Sequence, residues 1–309
     1  MGHAIFGHDT SDGQEIGQAL RIVCVGPPNR CSFRGGIVID AQDVPESQEL
    51  VLYAVAGHVA TITLNRPAAL NALNRPARHA LSQALDRARD DDAVRVVLLT
   101  GAGRAFSVGQ DVAELVSDYE AAPPALARLI YDEWAPLVEA VRQLPKPVVA
   151  AVNGAAAGGG LSLALAADIR LAEARTRFIA AFVGVGLVPD SGASHHLVRL
   201  LGLSKAMELS LTGQPLAAAE ALALGLVASV SEDGAALAAV ASAYAARLAA
   251  GAPMAQAGIK AILHAAADAS FDKVVALEAE WQDRLGATQD HREALDAFLS
   301  KRSPTFRGQ

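Results

Sequence analysis

The residues with the clearest chemical potential are Gly158, Gly159 and Gly160, in the stretch LPKPVVAAVNGAAAGGGLSL (144–163), and Asp190 downstream of them. Glycines at the mouth of a helix let a ligand approach the backbone, and the unpaired N–H groups of a first helical turn attract negative charge. Taken alone, the triplet reads equally well as a tight strand-to-helix corner. Asp190 follows Pro189 and precedes Ser191 and Gly192. A single carboxylate there could move a proton or cap a helix. Asp111, after Gly109-Gln110 and before an apolar run, reads first as such a cap. His195 and His196 are adjacent, but no carboxylate or cysteine stands at ligand spacing, so no metal is expected, though one histidine could line a pocket. Tyr131 and Trp134 read as core or as pocket lining, and Trp281 as core.

The elements that would hold these residues are legible in outline. Val148–Val152 is a short β-branched run of the kind buried on both faces of a sheet, and Asn153-Gly154 ends it as a turn. Leu50–Val55 and His58–Leu64 flank Ala56-Gly57 as a hairpin. Asn74 caps a helix to about Arg89, with Pro76 in its first turn and Ala77, Leu81, Leu85 and Ala88 on one face. Val94–Thr100 is a second buried strand. FSVGQD (106–111) is a short run with glycine inside it, followed by a helical Val112–Val116. A helix is expected from Pro123-Pro124 to about Leu144, strands at 168–172, 177–181 and 227–230, and helices over 193–201, 204–212, 216–224, 235–249, 253–267, 271–286 and 291–300. Strands alternate with helices early and helices dominate late, which is an α/β class with a helical C-terminal region. Residues 1–48 lack periodicity and read as a poorly ordered extension, or as an overlong reading frame ahead of a protein that starts near Val51.

Composition narrows the function classes. The 309 residues are 52% hydrophobic and 19% charged, enough for a sizeable globular core. A net charge of −7 argues against a nucleic-acid partner, and the helix carrying Arg75, Arg78, Arg87 and Arg89 lacks a dense basic face. No apolar run reaches the ~18 residues that span a bilayer. Two cysteines, Cys24 and Cys31, exclude a disulfide framework, and no secretory signal is evident, so the expectation is a soluble cytoplasmic protein.

NRPAALNAL (65–73), FSVGQD (106–111), PKPVVAAVNGAAAGGG (145–160), GLVPDSG (186–192), LTGQPLAAAEALALGLV (211–227) and the tail AFLSKRSPTF (297–306) together resemble the enoyl-CoA hydratase/isomerase, or crotonase-like, family from about residue 50 onward. Within it, GQD (109–111) and GLVPDSG are similar to the 1,2-epoxyphenylacetyl-CoA isomerase type. The resemblance implies a spiral of ββα units over 49–309, with a core to about 250 and a C-terminal helical region over 251–309. It also implies an acyl-CoA thioester as substrate, no other cofactor, and a homotrimer or dimer of trimers.

By that resemblance the amides of Val108 and Gly159 are the oxyanion hole, the pair of N–H donors that stabilise an enolate at the thioester oxygen. Hydratases of the family place one glutamate three residues past the Gly159 position and a second on the later strand. Here those positions hold Ser162 and Phe182, neither able to do acid–base work near neutral pH. In several isomerases of the family the aspartate of this loop faces the substrate, so the resemblance implies Asp190 as the proton shuttle and isomerisation as the chemistry. The resemblance places substrate contacts at Arg66, Ala105, Ser107, Gly109, Gln110, Asp111, Gly158, Ser162 and Phe182. It places coenzyme A contacts at Lys260, Phe298 and Lys301, although Ala68 and Ala69 stand where the family usually has a basic residue after NRP.

Overall fold

A computed structural model describes residues 22–24, 30–33, 37–40, 49–121 and 125–309. The chain divides into two units, Met1–Glu46 and Ser47–Gln309. The expected extension over 1–48 falls largely outside the described residues. Those that are described form three strands, β1 (Ile22–Cys24), β2 (Arg30–Phe33) and β3 (Ile37–Asp40), in one antiparallel sheet whose register sets Cys24 opposite Cys31.

The second unit repeats one local plan. The hairpin β4 (Val51–Ala56) and β5 (Val59–Leu64) leads to α1 (Arg75–Asp90), whose first turn is capped by Asn74 Oδ1 accepting from Ala77 N–H at 3.1 Å. Three rounds of long strand, short strand and helix follow. The first is β6 (Val96–Gly101), β7 (Ala105–Ser107) and α2 (Val112–Ala121). After α3 (Leu126–Leu129), a π-helical turn over Ile130–Trp134 and α4 (Ala135–Gln143), the second round is β8 (Val148–Val152), β9 (Ala155–Ala157) and α5 (Gly159–Ala166). The third is β10 (Ile169–Glu173), β11 (Arg177–Ile179) and α6 (Ala193–Thr212), kinked at Gly202. Then come β12 (Leu216–Ala217), α7 (Ala218–Ala223), β13 (Ser229–Ser231), α8 (Gly234–Ala249), α9 (Pro253–Ala266), α10 (Phe271–Gly286) and α11 (Gln289–Leu299).

The long strands form a six-stranded sheet in the order β13-β10-β8-β6-β5-β4, and the short ones a four-stranded sheet, β12-β11-β9-β7. Each round therefore steps from the first sheet into the second before its helix. The step after β8 is latched by Asn153, whose Nδ2 donates to Gly101 O at 2.6 Å and to Gly103 O at 3.1 Å, tying it to the matching step after β6. The inner strands of the large sheet, β6, β8 and β10 above all, are buried on both faces, as unbroken apolar runs such as Val148–Val152 require. Val97, Leu99, Val148, Ala150 and Val152 face the main core, with α1, α4, α5 and α6. Val96, Leu98, Val149, Ala151 and Leu171 face a second core closed by Leu237, Ala241, Ala245 and Ala249 of α8. The two-residue alternation of a strand divides the set.

The expected helix from Pro123 to about Leu144 is present over Leu126–Gln143, with a π-turn in its middle that the sequence does not announce; residues 122–124, where it was expected to start, lie outside the described set. The strands β7 and β9, three residues each, are too short to show a period in the sequence. Among the described residues no single helix is long and apolar enough to cross a membrane.

Candidate active site

The site is built where the first two rounds touch. Helix α5 is buried along its whole length, so its first-turn N–H groups have neither an intrahelical partner nor bulk water. The first helical bond is Ser162 N–H to Gly158 O at 3.1 Å, and among the described residues Gly159 N–H has no acceptor. Gly109, after β7, lies against this helix start. It holds φ at 86°, and a Cβ there would stand 2.5 Å from Gly159 N, so the position requires glycine both for its backbone angle and for its space.

The structure corrects the second donor. Val108 N–H is already donated to Leu70 O at 3.2 Å, and Gly109 N–H to Ser107 Oγ at 3.1 Å. Leu73 then brackets the next peptide: its N–H bonds Gly109 O at 2.7 Å and its carbonyl accepts from Asp111 N–H at 3.4 Å. Among the described residues Gln110 N–H is left unpaired. In a regular strand the amides of 108 and 110 would point the same way; the positive φ of Gly109 breaks that alternation and turns Gln110 N–H away from the 70–73 segment. The sequence signal was present, a glycine inside a strand-like run, but its effect on amide direction is not readable from residue types.

Behind Gln110 lies a polar cluster that sequence reasoning did not assemble. Gln110 Oε1 accepts from Trp134 Nε1–H at 2.8 Å and from Arg78 NH1 at 3.0 Å, and its Nε2 donates to Glu114 Oε2 at 2.8 Å. Arg78 is only 3% exposed and also donates to Leu73 O, Glu114 and Glu133. An arginine spaced with Leu81 and Leu85 on the apolar face of α1 was the available clue. The other arginines of α1 are also engaged: Arg75 with Glu133, Arg87 over the Tyr53 ring at 4.1 Å, and Arg89 with Asp86 and Asp90. Trp134 is buried, whereas Tyr131, three residues earlier, is 75% exposed and not core. Trp281 packs against Gly258, joining α9 and α10.

On the other side of Gly159, Ser162 carries the site to the Asp190 loop. Its buried hydroxyl donates to the Asp190 carbonyl at 3.2 Å, one helical turn, about 4.5 Å along the axis, from Gly159. The Asp190 carboxylate does not cap α6: the N-cap is Gly192 with no side-chain bond, and the Asp190 backbone carbonyl takes Ala193 N–H at 2.8 Å. The carboxylate instead accepts Ser191 Oγ–H at 2.9 Å. Burial raises its pKa, with the Ser191 hydroxyl opposing. Ser191 itself holds φ at 51°, a left-handed angle that non-glycine residues rarely adopt and that is common at functional loops. His196 is buried, and that burial, with His195 beside it, pushes its pKa down to about 4, so the ring is neutral at neutral pH. Phe182 is buried in the 3-10 turn Ala181–Val185, whose carbonyl at 182 accepts from Leu187 N–H.

The remaining predicted contacts divide by exposure. Ala105 and Ser107 are buried backing for the 107–110 run: Ala105 O accepts from Asn71 Nδ2 and Ser107 Oγ donates to Asn71 O. Asp111 caps α2 by accepting Ala113 N–H at 3.0 Å and pairs with Arg66 at 2.7 Å, so the charge of each is already countered within the chain. Lys260, 8% exposed, is held by Asp168 at 2.8 Å and by the carbonyls of Val141 and Lys146, so its charge is already paired within the chain. Phe298 is 82% exposed and Lys301 is exposed with no acidic partner among the described residues, while Arg302 is paired with Glu293. Among the described residues, no group of three or more His, Cys, Asp and Glu could hold a metal ion.

A spiral of ββα units with a backbone-lined corner between two rounds defines the crotonase class of fold. Residues 55–309 match the model of the enoyl-CoA hydratase/isomerase family, and the chain belongs to that family. It is 41% identical over 268 residues to a protein named probable enoyl-CoA hydratase from Rhodobacter capsulatus, covering 85% of this chain and 100% of that one. It is 39% identical over 261 residues to 1,2-epoxyphenylacetyl-CoA isomerase of Escherichia coli K12, covering 84% and 99%. The crystal structure of an enoyl-CoA hydratase/isomerase from Cupriavidus metallidurans superposes with a TM-score of 0.79 at 36% identity, over 85% of this chain and 98% of the other.

Proposed function

We propose that this protein is an acyl-CoA isomerase that shifts a proton on an enoyl- or arylacetyl-CoA thioester through an enolate. The observation that carries the reading is the combination of two unpartnered backbone amides, Gly159 and Gln110, with one half-buried carboxylate, Asp190, where the hydratase glutamate positions hold Ser162 and Phe182. In this mechanism the Asp190 carboxylate takes a proton from a carbon next to the thioester or conjugated with it. The electron pair moves onto the thioester oxygen, which the two N–H groups hold. One such donor is worth about 3 kcal/mol in a water-poor site, and the positive end of α5 adds to the same field. The Asp190 carboxylic acid then returns the proton to a different carbon, and the double bond has moved with no gain or loss of atoms. A hydratase needs a second acid–base group to activate water, and neither Ser162 nor Phe182 supplies one. The isomerase name of the Escherichia coli relative supports this reading; the hydratase name of the Rhodobacter relative states the rival.

The test is incubation in deuterium oxide with a panel of enoyl-, dienoyl- and arylacetyl-CoA thioesters, with products read by mass and deuterium content. Double-bond migration with deuterium incorporation and no net addition of water is the expected result. Rapid hydration of crotonyl-CoA would overturn it. A chain that binds thioesters yet exchanges no protons would be a silent acyl-CoA binder.

A further inference from the structure

The two unpaired amides belong to different rounds of the spiral, with 48 residues of chain between them in sequence (159 − 110 = 49 positions apart). The backbone contact that brings them together is made by Gly109 on one side and Gly159 on the other. Glycine permits the approach but does nothing to fix it, because it is the least restrained residue type. Hydrogen bonds to a developing oxyanion fall off steeply with misdirection. Something else must set the angle and separation of the donors.

One side chain touches both. The Trp134 indole covers Gly159 so closely that a Cβ there would stand 2.6 Å from Cζ3, and its Nε1–H donates to Gln110 Oε1 at 2.8 Å. Trp134 closes the π-helical turn, a rare geometry that inserts one extra residue into a helix and so re-aims the side chains that follow. The preceding residue, Glu133, receives Arg78 Nε at 2.9 Å and NH2 at 2.6 Å. Arg78 in turn lies 5.7 Å from the Trp134 ring centroid, donates to Gln110 Oε1, and donates at 2.7 Å to Leu73 O, the carbonyl that also holds Asp111 N–H. The Gln110 peptide is thus gripped through its side chain by Trp134 and Arg78, and through its neighbours by Leu73.

We propose that Trp134, supported by Arg78 and Glu133, is a positioning residue that sets the distance and angle between the Gln110 and Gly159 donors. The proposal rests on the oxyanion-site reading above. Ordinary core packing would explain the buried indole but not the convergence of its N–H and the Arg78 guanidinium on one acceptor whose own backbone amide is free.

The experiment uses phenylacetyl-CoA carrying ¹³C at the thioester carbonyl. Two quantities are read on the full-length protein: the infrared shift of the bound carbonyl, which reports hydrogen bonding to that oxygen, and the rate of α-proton exchange in deuterium oxide. Trp134→Phe keeps a ring over Gly159 and removes the N–H. It is expected to shrink the carbonyl shift and slow exchange by about 10- to 100-fold, with the dissociation constant changed less than about threefold. Gln110→Ala leaves the backbone donor and removes the whole side-chain anchor, the Arg78 and Glu114 bonds included; it should act in the same direction, and the double variant should be no slower than Gln110→Ala alone, because the bond that Trp134→Phe cuts is already gone. Wild-type carbonyl shift and exchange in both single variants would overturn the proposal, and if Trp134→Phe does not fold, Gln110→Ala alone decides. Failure of the wild-type protein to bind the thioester or to shift its carbonyl would instead overturn the site reading itself.

Discussion

Asp190 is kept partly out of water, and the burial that raises its pKa also makes its ionised form a cost to the fold. The sign follows from linkage. At low pH the carboxyl is neutral in both folded and unfolded chains. As pH rises past the ordinary aspartate value the unfolded chain ionises first, and the folded state loses stability until its own raised pKa is passed. Asp190→Asn is therefore expected to raise the melting temperature at neutral pH and to remove that step from the stability–pH curve, while its amide oxygen still accepts the Ser191 hydroxyl. The same substitution is expected to slow isomerisation by about 100-fold or more. Calorimetry across pH 3–8 and steady-state kinetics on one preparation check both halves; unchanged turnover would remove Asp190 from the mechanism. The rate of the wild-type enzyme should climb with pH through the raised pKa, because the base form is the active one.

At the scale of elements, function depends on how closely the end of β7 approaches the start of α5. Gly109→Ala places a Cβ 2.5 Å from Gly159 N and forces a left-handed angle on alanine. The backbone term alone is about 1–3 kcal/mol, and the displaced helix start should remove proton exchange from bound thioester. Gly57→Ala is the matched control, since Gly57 has φ 55° but no atom within 4 Å of an added Cβ. Denaturant unfolding should show a smaller loss there, with exchange intact. Equal effects at the two positions would mean that the contact with α5 contributes nothing.

For the whole molecule, the C-terminal helices raise a question of packing. In α9–α11 only Gly258, Asp290 and Ala297 are buried, while Leu263, Phe271, Phe298 and Leu299 stand exposed. An exposed apolar surface of this kind is suited to contact with another chain; were it the seam of the trimer or dimer of trimers that the family resemblance implies, Phe298→Asp would lower the mass measured by light scattering, and an unchanged mass would take Phe298 out of any such seam. Lys260 has a different task. Burial lowers its pKa, and Asp168 counters that by pairing with it across α9 and the loop before β10. Lys260→Ala leaves Asp168 with Val148 N–H and the more distant His264 but without its lysine, and should cost roughly 3 kcal/mol, read by urea unfolding, with the KM for acyl-CoA unchanged. A raised KM with unaltered stability would restore Lys260 to the coenzyme.

The sequence alone determined the long strand runs, the capped helix at Asn74, the turn at Asn153-Gly154 and the family motifs, because these are local: each rests on the periodicity or turn chemistry of a few consecutive residues. It also determined that residues 162 and 182 carry no acid–base group. What it could not determine is which hydrogen bonds are already spent. Val108 looked like a donor until Leu70, 38 positions away, took its N–H, and Lys260 and Arg66 looked like free cations until Asp168 and Asp111 claimed them. Gln110, Trp134 and Arg78 come together only through the packing of α1, the π-turn and the end of β7. A motif fixes which groups are present, but whether an amide or a charge is available depends on partners brought from elsewhere in the chain, and only the tertiary structure decides those.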